Sequence, residues 1–257
     1  MARGVLLDID GVLTVSWQPL PDAVETIGWL RDQGIEFRLV TNTSSRSRRT
    51  IASLLAEAGM PIDTGHILNA ASGAARYLRE NHAGHPCLVI NHGDLGDDLD
   101  GVELADADTA EVVLLGSGGP TMGYRQIDAA FKLADRGIPI VALQRNLRFQ
   151  TSAGPALDMG AFILGLEAAA DIEVTVVGKP AESFFAAALE DIGVAPADAI
   201  MVGDDIASDV LGAQALGITG VLVKTGKFRP SDLTTGDDRP AHVIDGIGQL
   251  PALLQQV

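Results

Sequence analysis

Short apolar runs rich in β-branched residues alternate with helix-like stretches along almost the whole chain, the pattern of a parallel sheet with crossover helices. The runs expected as strands are Val5–Asp10, Glu36–Thr41, Cys87–Asn91, Val112–Gly116, Ile138–Leu143, Val174–Gly178, Ala199–Asp204 and Gly220–Lys224. Between them the spacing predicts helices near Ser45–Ala58, Ala70–Glu80, Tyr124–Arg136, Ala161–Ala170, Glu182–Ile192 and Ile206–Leu216. An earlier helix has Pro21 in its first turn and Gly34 just past its end. No fixed-period repeat or low-complexity tract appears, which excludes a solenoid. The expected class is α/β.

The middle of the chain differs in character. From Arg76 to Val176 the strands are short, the turns are rich in Gly and Asp, and acidic pairs at strand ends are few. That stretch is long enough to bury its own core. The expected organisation is a discontinuous sheet-forming domain, residues 1–75 and 177–257, with a smaller α/β domain, residues 76–176, inserted into it. The crossings fall near residues 68–76 and 171–178.

Charge narrows the partners. The chain has 34 acidic and 18 basic residues in 257, a net charge of -16. Such a surface repels nucleic-acid backbones and anionic lipid headgroups, which argues against nucleic-acid and membrane partners. An anionic substrate then needs a locally positive site, which magnesium plus one or two basic residues would supply. Cys87, the one cysteine, lies in an apolar run and reads as a small buried hydrophobe. The first residues lack the apolar core of a signal peptide and no segment approaches a membrane span, so the cytoplasm is the expected compartment.

Four features fall where strand patterns end. Asp8-Ile9-Asp10-Gly11-Val12 follows Gly4–Leu7, Thr41-Asn42-Thr43 follows Phe37–Val40, Lys179-Pro180 follows Val174–Gly178, and Gly203-Asp204-Asp205, with Asp209 close behind, follows Ala199–Val202. In an open α/β sheet the carboxyl ends of the strands are where ligands bind. Each residue type suits phosphoryl transfer. A carboxylate can attack phosphorus to form an acyl phosphate, and a second acid two residues on can protonate the leaving oxygen and later deprotonate water. Asp8, Asp204 and the backbone carbonyl of Asp10 suit a magnesium ion. A threonine hydroxyl with neighbouring N–H groups holds phosphoryl oxygens, and a lysine pairs with both phosphate and nucleophile.

Singly, each feature has a plain structural reading. Asp-x-Asp occurs in caps and loops, Thr41–Ser44 can cap the following helix, and Lys179 before Pro180 can be a turn residue. Asp204-Asp205 resists this, because two acids beside an apolar strand again need a cation. All four in order, each after a strand, favour a phosphoryl-transfer site.

Taken together, these motifs resemble the four ordered motifs of the haloacid dehalogenase (HAD) superfamily, over nearly the whole chain. Motifs one and two lie too close for an insertion, and the large one falls between motifs two and three. That is similar to the subclass with an α/β cap in the second position, which includes N-acetylglucosamine-phosphate-type, p-nitrophenyl-phosphate-type and pyridoxal-phosphate phosphatases. Val176–Pro180, Val202–Asp205 and Leu222–Arg229 are most similar to the branch holding phospholysine/phosphohistidine inorganic pyrophosphate phosphatase and its haloacid-dehalogenase-like hydrolase relatives. The resemblance implies a Rossmann-like core with an inserted cap, and a magnesium-dependent phosphomonoesterase working through an aspartyl-phosphate. Asp8 would be the nucleophile and Asp10 the general acid/base. Thr41, Asn42 and Lys179 would contact the phosphoryl group, with magnesium held by Asp8, the Asp10 carbonyl and Asp204. Asp205 and Asp209 would support the site from outside. The substrate implied is a small phosphorylated metabolite, and cap contacts seen in relatives make a homodimer an expectation. Asp10 argues against dehalogenation, since the true dehalogenases lack that acid.

Two rivals use similar residues: phosphotransfer to another acceptor, as in phosphomutases, and a non-catalytic metal-binding regulatory module. A receiver module carries its acid pair and phosphorylated Asp on different strands, whereas here nucleophile and acid share one strand end. Weaker signals are read as structural. Gly116–Pro120 lacks the Lys-Ser/Thr of a phosphate loop and reads as a turn. Arg46, Arg48 and Arg49 read as a solvated helix face, and His92 as a turn residue. Arg145–Arg148, at a strand end, is the candidate substrate-reading loop.

Overall fold

The computed structural model describes residues 3–119, 122–151, 154–233 and 239–256. The chain divides into two compact units, one formed by Met1–Thr41, Arg48–Leu68 and Lys179–Val257, the other by Asn42–Ser47 and Asn69–Gly178. In chain order the first stretch runs β1 (Gly4–Leu7), a small hairpin of β2 (Thr14–Val15) and β3 (Gln18–Pro19), α1 (Ala23–Asp32), β4 (Glu36–Thr41), α2 (Arg48–Glu57) and β5 (Ile67–Asn69). The inserted unit contributes α3 (Ala70–Asn81), β6 (Cys87–Ile90), β7 (Val112–Leu115), α4 (Tyr124–Asp135), β8 (Ile140–Ala142), the hairpin β9 (Arg148–Thr151) and β10 (Gly154–Leu157), α5 (Met159–Ala170) and β11 (Thr175–Val176). The chain then closes the first unit with α6 (Glu182–Ile192), β12 (Ala199–Gly203), α7 (Gly212–Ala215), β13 (Thr219–Val223), β14 (His242–Ile244) and α8 (Leu250–Leu254).

The first unit is built on a six-stranded sheet ordered β14-β13-β12-β1-β4-β5, in which β1 pairs in parallel with both β4 and β12. Its central strands are apolar at consecutive positions because both faces are covered. Val5 and Leu7 of β1 join Leu39, Ile200, Val202 and Val221 in a core on one face, packed with Ile27, Leu30 and Leu250 of flanking helices. Leu6 points to the other face, with Val40, Met201, Phe184 and Phe185. Stacking two cores on β1 leaves its carboxyl end, at Asp8, at the middle of the sheet's ligand-binding edge.

The inserted unit has its own four-stranded sheet, β11-β8-β7-β6, with every neighbouring pair parallel. Its division from the first unit falls at Leu68/Asn69 and Gly178/Lys179, rather than at 75/76 and 176/177. The reason is α3, whose buried residues Ala70, Ala71, Ala74 and Leu78 pack with Cys87, Val112, Leu114 and Val141. A boundary at residue 75 would cut through that helix. A second correction concerns the run before Lys179. It is a two-residue strand paired to β8, so it belongs to the inserted sheet and not to the sheet that carries Asp8. Val174 and Val176 pack with Ile140 and Ala142, which draws the strand there.

Other expected elements shift at their ends. The first helix begins at Ala23 behind an Asp22 with φ 61, so Pro21 lies outside its first turn. The second begins at Arg48, leaving Arg46 outside it. The run after Asp205 is a π-helical turn, Ile206–Leu211, before α7. Cys87 is fully buried, and desolvation pushes its thiol up to about 12, as expected for a packing residue. In the glycine-rich turn, a Cβ on Gly116 would come 1.9 Å from Asn91 Oδ1 and one on Gly119 2.3 Å from the His92 ring. Close packing therefore accounts for those glycines; Pro120 lies outside the described residues. No helix among the described residues is long and apolar enough to cross a membrane.

Two glycines of the first unit give opposite expectations. Gly28 sits inside α1 with nothing within 4 Å of an added Cβ, while a Cβ on Gly203 would lie 2.2 Å from the Cβ of Asp209. Gly28→Ala should therefore stabilise the protein by about 0.5–1 kcal/mol through the unfolded chain. Gly203→Ala should destabilise it by about 1–3 kcal/mol through overpacking. Urea unfolding midpoints measure both, and equal shifts for the two variants would contradict this packing.

Candidate active site

Asp8 is the first residue past β1, and its N–H donates to the Val202 carbonyl of β12 at 2.9 Å. The chain then turns tightly: Leu13 and Thr14 both donate to the Ile9 carbonyl at 3.0 Å, and Gly11 adopts φ +88. The turn leaves the Asp8 carboxylate buried and Asp10 exposed. Asp204 is the first residue past β12, one strand over, and Thr41 ends β4 on the other side. Adjacent parallel strands thus deliver the two acids and the threonine to one edge. Asp209 reaches the same point from the π-helical turn.

A buried lysine holds this group together. Lys179 Nζ lies 2.5 Å from Asp8 Oδ1 and 2.8 Å from Asp209 Oδ1, and donates to the Val40 carbonyl at 3.1 Å. Burial acts to lower the lysine's pKa, but Asp209 and Asp8 more than reverse this and hold it above the ordinary value. The ammonium stays charged, and the surplus of negative charge falls on the acids. Burial pushes Asp8 up to about 8, against the pull of Lys179 and with repulsion from Asp209 and Asp204 added. Asp204 rises to about 6, chiefly through burial, with Lys227 pulling the other way. Asp10 is also raised by desolvation of its carboxyl, although the residue's surface is open to solvent, and Lys227 again opposes the shift.

The carboxylates of Asp8, Asp204 and Asp209 each offer an oxygen within 4.8 Å of the others. Their surroundings differ. Asp209 already has partners for both oxygens, Lys179 on Oδ1 and the Asp205 N–H on Oδ2 at 3.2 Å. Asp204 Oδ2 accepts from the Lys227 N–H at 2.7 Å, but its buried Oδ1 has no partner among the described residues. Asp205 points elsewhere: it caps the following turn by accepting from Ala207 and Ser208, each at 3.1 Å. Those bonds and Lys227 lower its pKa despite burial. An all-oxygen set with one orphaned buried carboxylate oxygen fits a hard divalent cation.

Of the residues singled out in the sequence, Asp8, Lys179, Asp204 and Asp209 are drawn together, Asp205 stands just behind them, and Asp10 sits on the turn above Asp8. Thr41 is buried directly after Val40, whose carbonyl receives Lys179. Asn42 belongs to the other compact unit. There Arg145 is committed to an ion pair, donating to Glu167 Oε1 at 2.9 Å and also to Oε2, which ties the expected substrate-reading loop to α5. A cavity of about 350 Å³ in the same unit, lined by Ile90, Asn91, Met122, Arg125, Gln126 and apolar neighbours, has no acid or nucleophile among its described lining residues. Thr225, Gly226 and Lys227, after β13, lie in the Leu222–Arg229 run noted for its resemblance but were given no place in the site by the motifs. Thr225 Oγ1 donates to the Gly11 carbonyl at 2.5 Å, and Gly226 adopts φ +60 against Asp204.

Comparison with known proteins places this arrangement. The haloacid dehalogenase-like hydrolase family model matches residues 5–105, and an HAD-hydrolase-like model matches residues 176–250. The chain is 35% identical over 251 residues to the phospholysine phosphohistidine inorganic pyrophosphate phosphatase of Xenopus laevis, covering 95% of this chain and 90% of the relative. It is 35% identical over 230 residues to human haloacid dehalogenase-like hydrolase domain-containing protein 2, covering 90% and 87%. Among solved structures, a p-nitrophenyl phosphatase from Archaeoglobus fulgidus superposes with a TM-score of 0.90 at 28% identity, covering 98% of this chain and 99% of that one. With its acids and buried lysine at the carboxyl edge of a parallel sheet, this chain belongs to the haloacid dehalogenase-like hydrolase family and is one of its phosphatases.

Proposed function

We propose that the chain is a magnesium-dependent phosphomonoesterase that works through an aspartyl-phosphate on Asp8, acting on a small phosphorylated metabolite. The observation that carries the reading is the buried group of Asp8, Asp204 and Asp209 around Lys179, with Asp204 Oδ1 lacking any partner among the described residues. Asp8 and Asp204, with the Asp10 carbonyl, would hold the magnesium ion, and the engaged oxygens of Asp209 fit a supporting role. Bound there, the cation neutralises charge shared by nucleophile and phosphate.

The chain's own residues carry the rest. An Asp8 oxygen attacks phosphorus while the ester P–O bond breaks, and Lys179 orients the carboxylate. The raised pKa of Asp10 favours its acid form, which gives its proton to the leaving oxygen. Water then attacks the acyl phosphate, Asp10 takes the proton, and orthophosphate leaves with Asp8 restored. Thr41 and Asn42 are assigned to the phosphoryl oxygens.

Asp8→Asn should abolish phosphate release from phosphomonoesters while leaving the thermal transition cooperative; full turnover by this variant would remove Asp8 from the nucleophile's role. Asp10→Asn should cost about 10²–10⁴ in rate with an alkyl phosphate. It should cost much less with p-nitrophenyl phosphate, whose leaving group needs no proton. Equal losses on both substrates would argue against Asp10 as the acid.

The raised acids also set a pH dependence for the metal-free protein. Asp8 titrates near 3.8 when unfolded and about 8 when folded, and Asp204 near 3.8 and about 6. Between these values the unfolded chain has lost protons that the folded one keeps, so stability falls as pH rises. Scanning calorimetry in chelator should show Tm declining from about pH 4 to 8, with a shallower decline in Asp8→Asn. Added magnesium should raise Tm most at the alkaline end, and a pH-independent magnesium effect would contradict binding at these acids.

A further inference from the structure

The loop after β13 is fixed over the catalytic turn by three contacts that the chemistry above leaves unused. Thr225 Oγ1 donates to the Gly11 carbonyl, and the Lys227 N–H donates to Asp204 Oδ2 at 2.7 Å. Between them, a Cβ on Gly226 would lie 2.0 Å from Asp204 Oδ2 and 2.6 Å from Gly11 Cα, so only glycine lets the loop come this close. Residue 227 is therefore held beside Asp204 by its main chain, whatever its side chain does.

That side chain is a lysine, and its situation is the opposite of Lys179's. Lys179 is 2% exposed and occupied by Asp8, Asp209 and Val40. Lys227 is 58% exposed, and its ammonium stands 3.5 Å from Asp205 Oδ2 in a loose pair. Desolvation of the side chain acts to lower its pKa, but Asp204, Asp8, Asp205 and Asp209 outweigh it and hold the ammonium above its ordinary value. A dianionic phosphoryl group approaching this edge meets carboxylates, in a chain of net charge -16. An exposed cation at the rim offsets that repulsion.

We propose that Lys227 is an accessible cation of the site, a substrate-positioning residue whose ammonium draws the phosphoryl anion toward Asp8 and whose main chain is anchored on Asp204. The assignment rests on the phosphatase site described above and adds a residue to it. It has a signature that a merely structural role lacks. Removing the charge leaves the acids more negative, so the site should bind a cation more tightly and an anion more weakly.

The test uses the full chain and two probes, magnesium ion alone and orthophosphate with magnesium present, each titrated by calorimetry into wild type, Lys227→Gln and Lys227→Arg. A unit charge at this range in a water-like medium is worth about two- to fivefold in affinity. Lys227→Gln should tighten magnesium by about that factor and weaken orthophosphate by the same factor or more. The phosphate difference should shrink toward one at 1 M salt, and Lys227→Arg should restore both affinities toward wild type. Affinities that move together, that do not move, or that differ equally at low and high salt overturn the role of Lys227 while leaving the site intact. Failure of wild type to bind either probe overturns the site itself.

Discussion

The site depends on one buried ammonium. Three carboxylates crowd the carboxyl end of the central strands, and water is largely excluded from them. Such a group repels itself, and without compensation its members would protonate or move apart. Lys179 supplies the internal compensation by contacting two of the acids and the end of β4 at once. It does not balance the charge, as the upward shifts of Asp8 and Asp204 record. The remaining imbalance makes the pocket attractive to a divalent cation, so partial neutralisation by lysine is what leaves the site functional.

The rest of the first unit positions that charge. A parallel sheet with both faces covered lets adjacent strands end together, so Asp8, Asp204 and Thr41 arrive at one edge without any loop having to find its way. Glycines then set the spacing. Gly11 and Gly226 both lie where a side-chain carbon would strike Asp204 Oδ2 at 2.0 Å. The carboxylate is wedged between these two bare backbones while the N–H of Lys227, next to Gly226, donates to its Oδ2, and this fixes which of its oxygens is left over.

Much of this was legible in the sequence because polar residues ending an apolar run have few explanations. Asp8, Asp10, Asp204 and Lys179 stood out for that reason, and the alternation of runs gave the α/β class. What failed did so for physical reasons. The run before Lys179 looks like the other strands, but which sheet a short strand joins is decided by packing of Val174 and Val176, which periodicity does not encode. The helix at Ala70 continues without a break past residue 75, and its packing with the inserted sheet, which its spacing does not encode, puts the division before it at Leu68/Asn69. Strands of three residues, Ile67–Asn69 and His242–Ile244, are too short to show a period. Lys227 lies in the Leu222–Arg229 run that carries the family resemblance, but its place beside the acids is not readable until the turn is seen to rest on Gly11 and Asp204.

The division of labour follows from what each polar group already does. In the first unit Lys179, Asp209 and Asp205 are committed to one another or to capping, and in the proposed mechanism Asp8 and Asp204 are the acids that would face the phosphoryl group and its cation. In that mechanism these groups would recognise a phosphate whatever is attached to it. Discrimination between phosphorylated compounds must therefore come from residues outside this cluster. In the inserted unit, Arg145 is spent on Glu167, and the glycine-rich turn is explained by packing on Asn91 and His92. Buried Gln144, whose amide nitrogen has no partner, sits in the same strand-end loop as Arg145. Keeping the acids and the lysine together at one sheet edge lets residues outside that cluster change without disturbing the balance around Lys179.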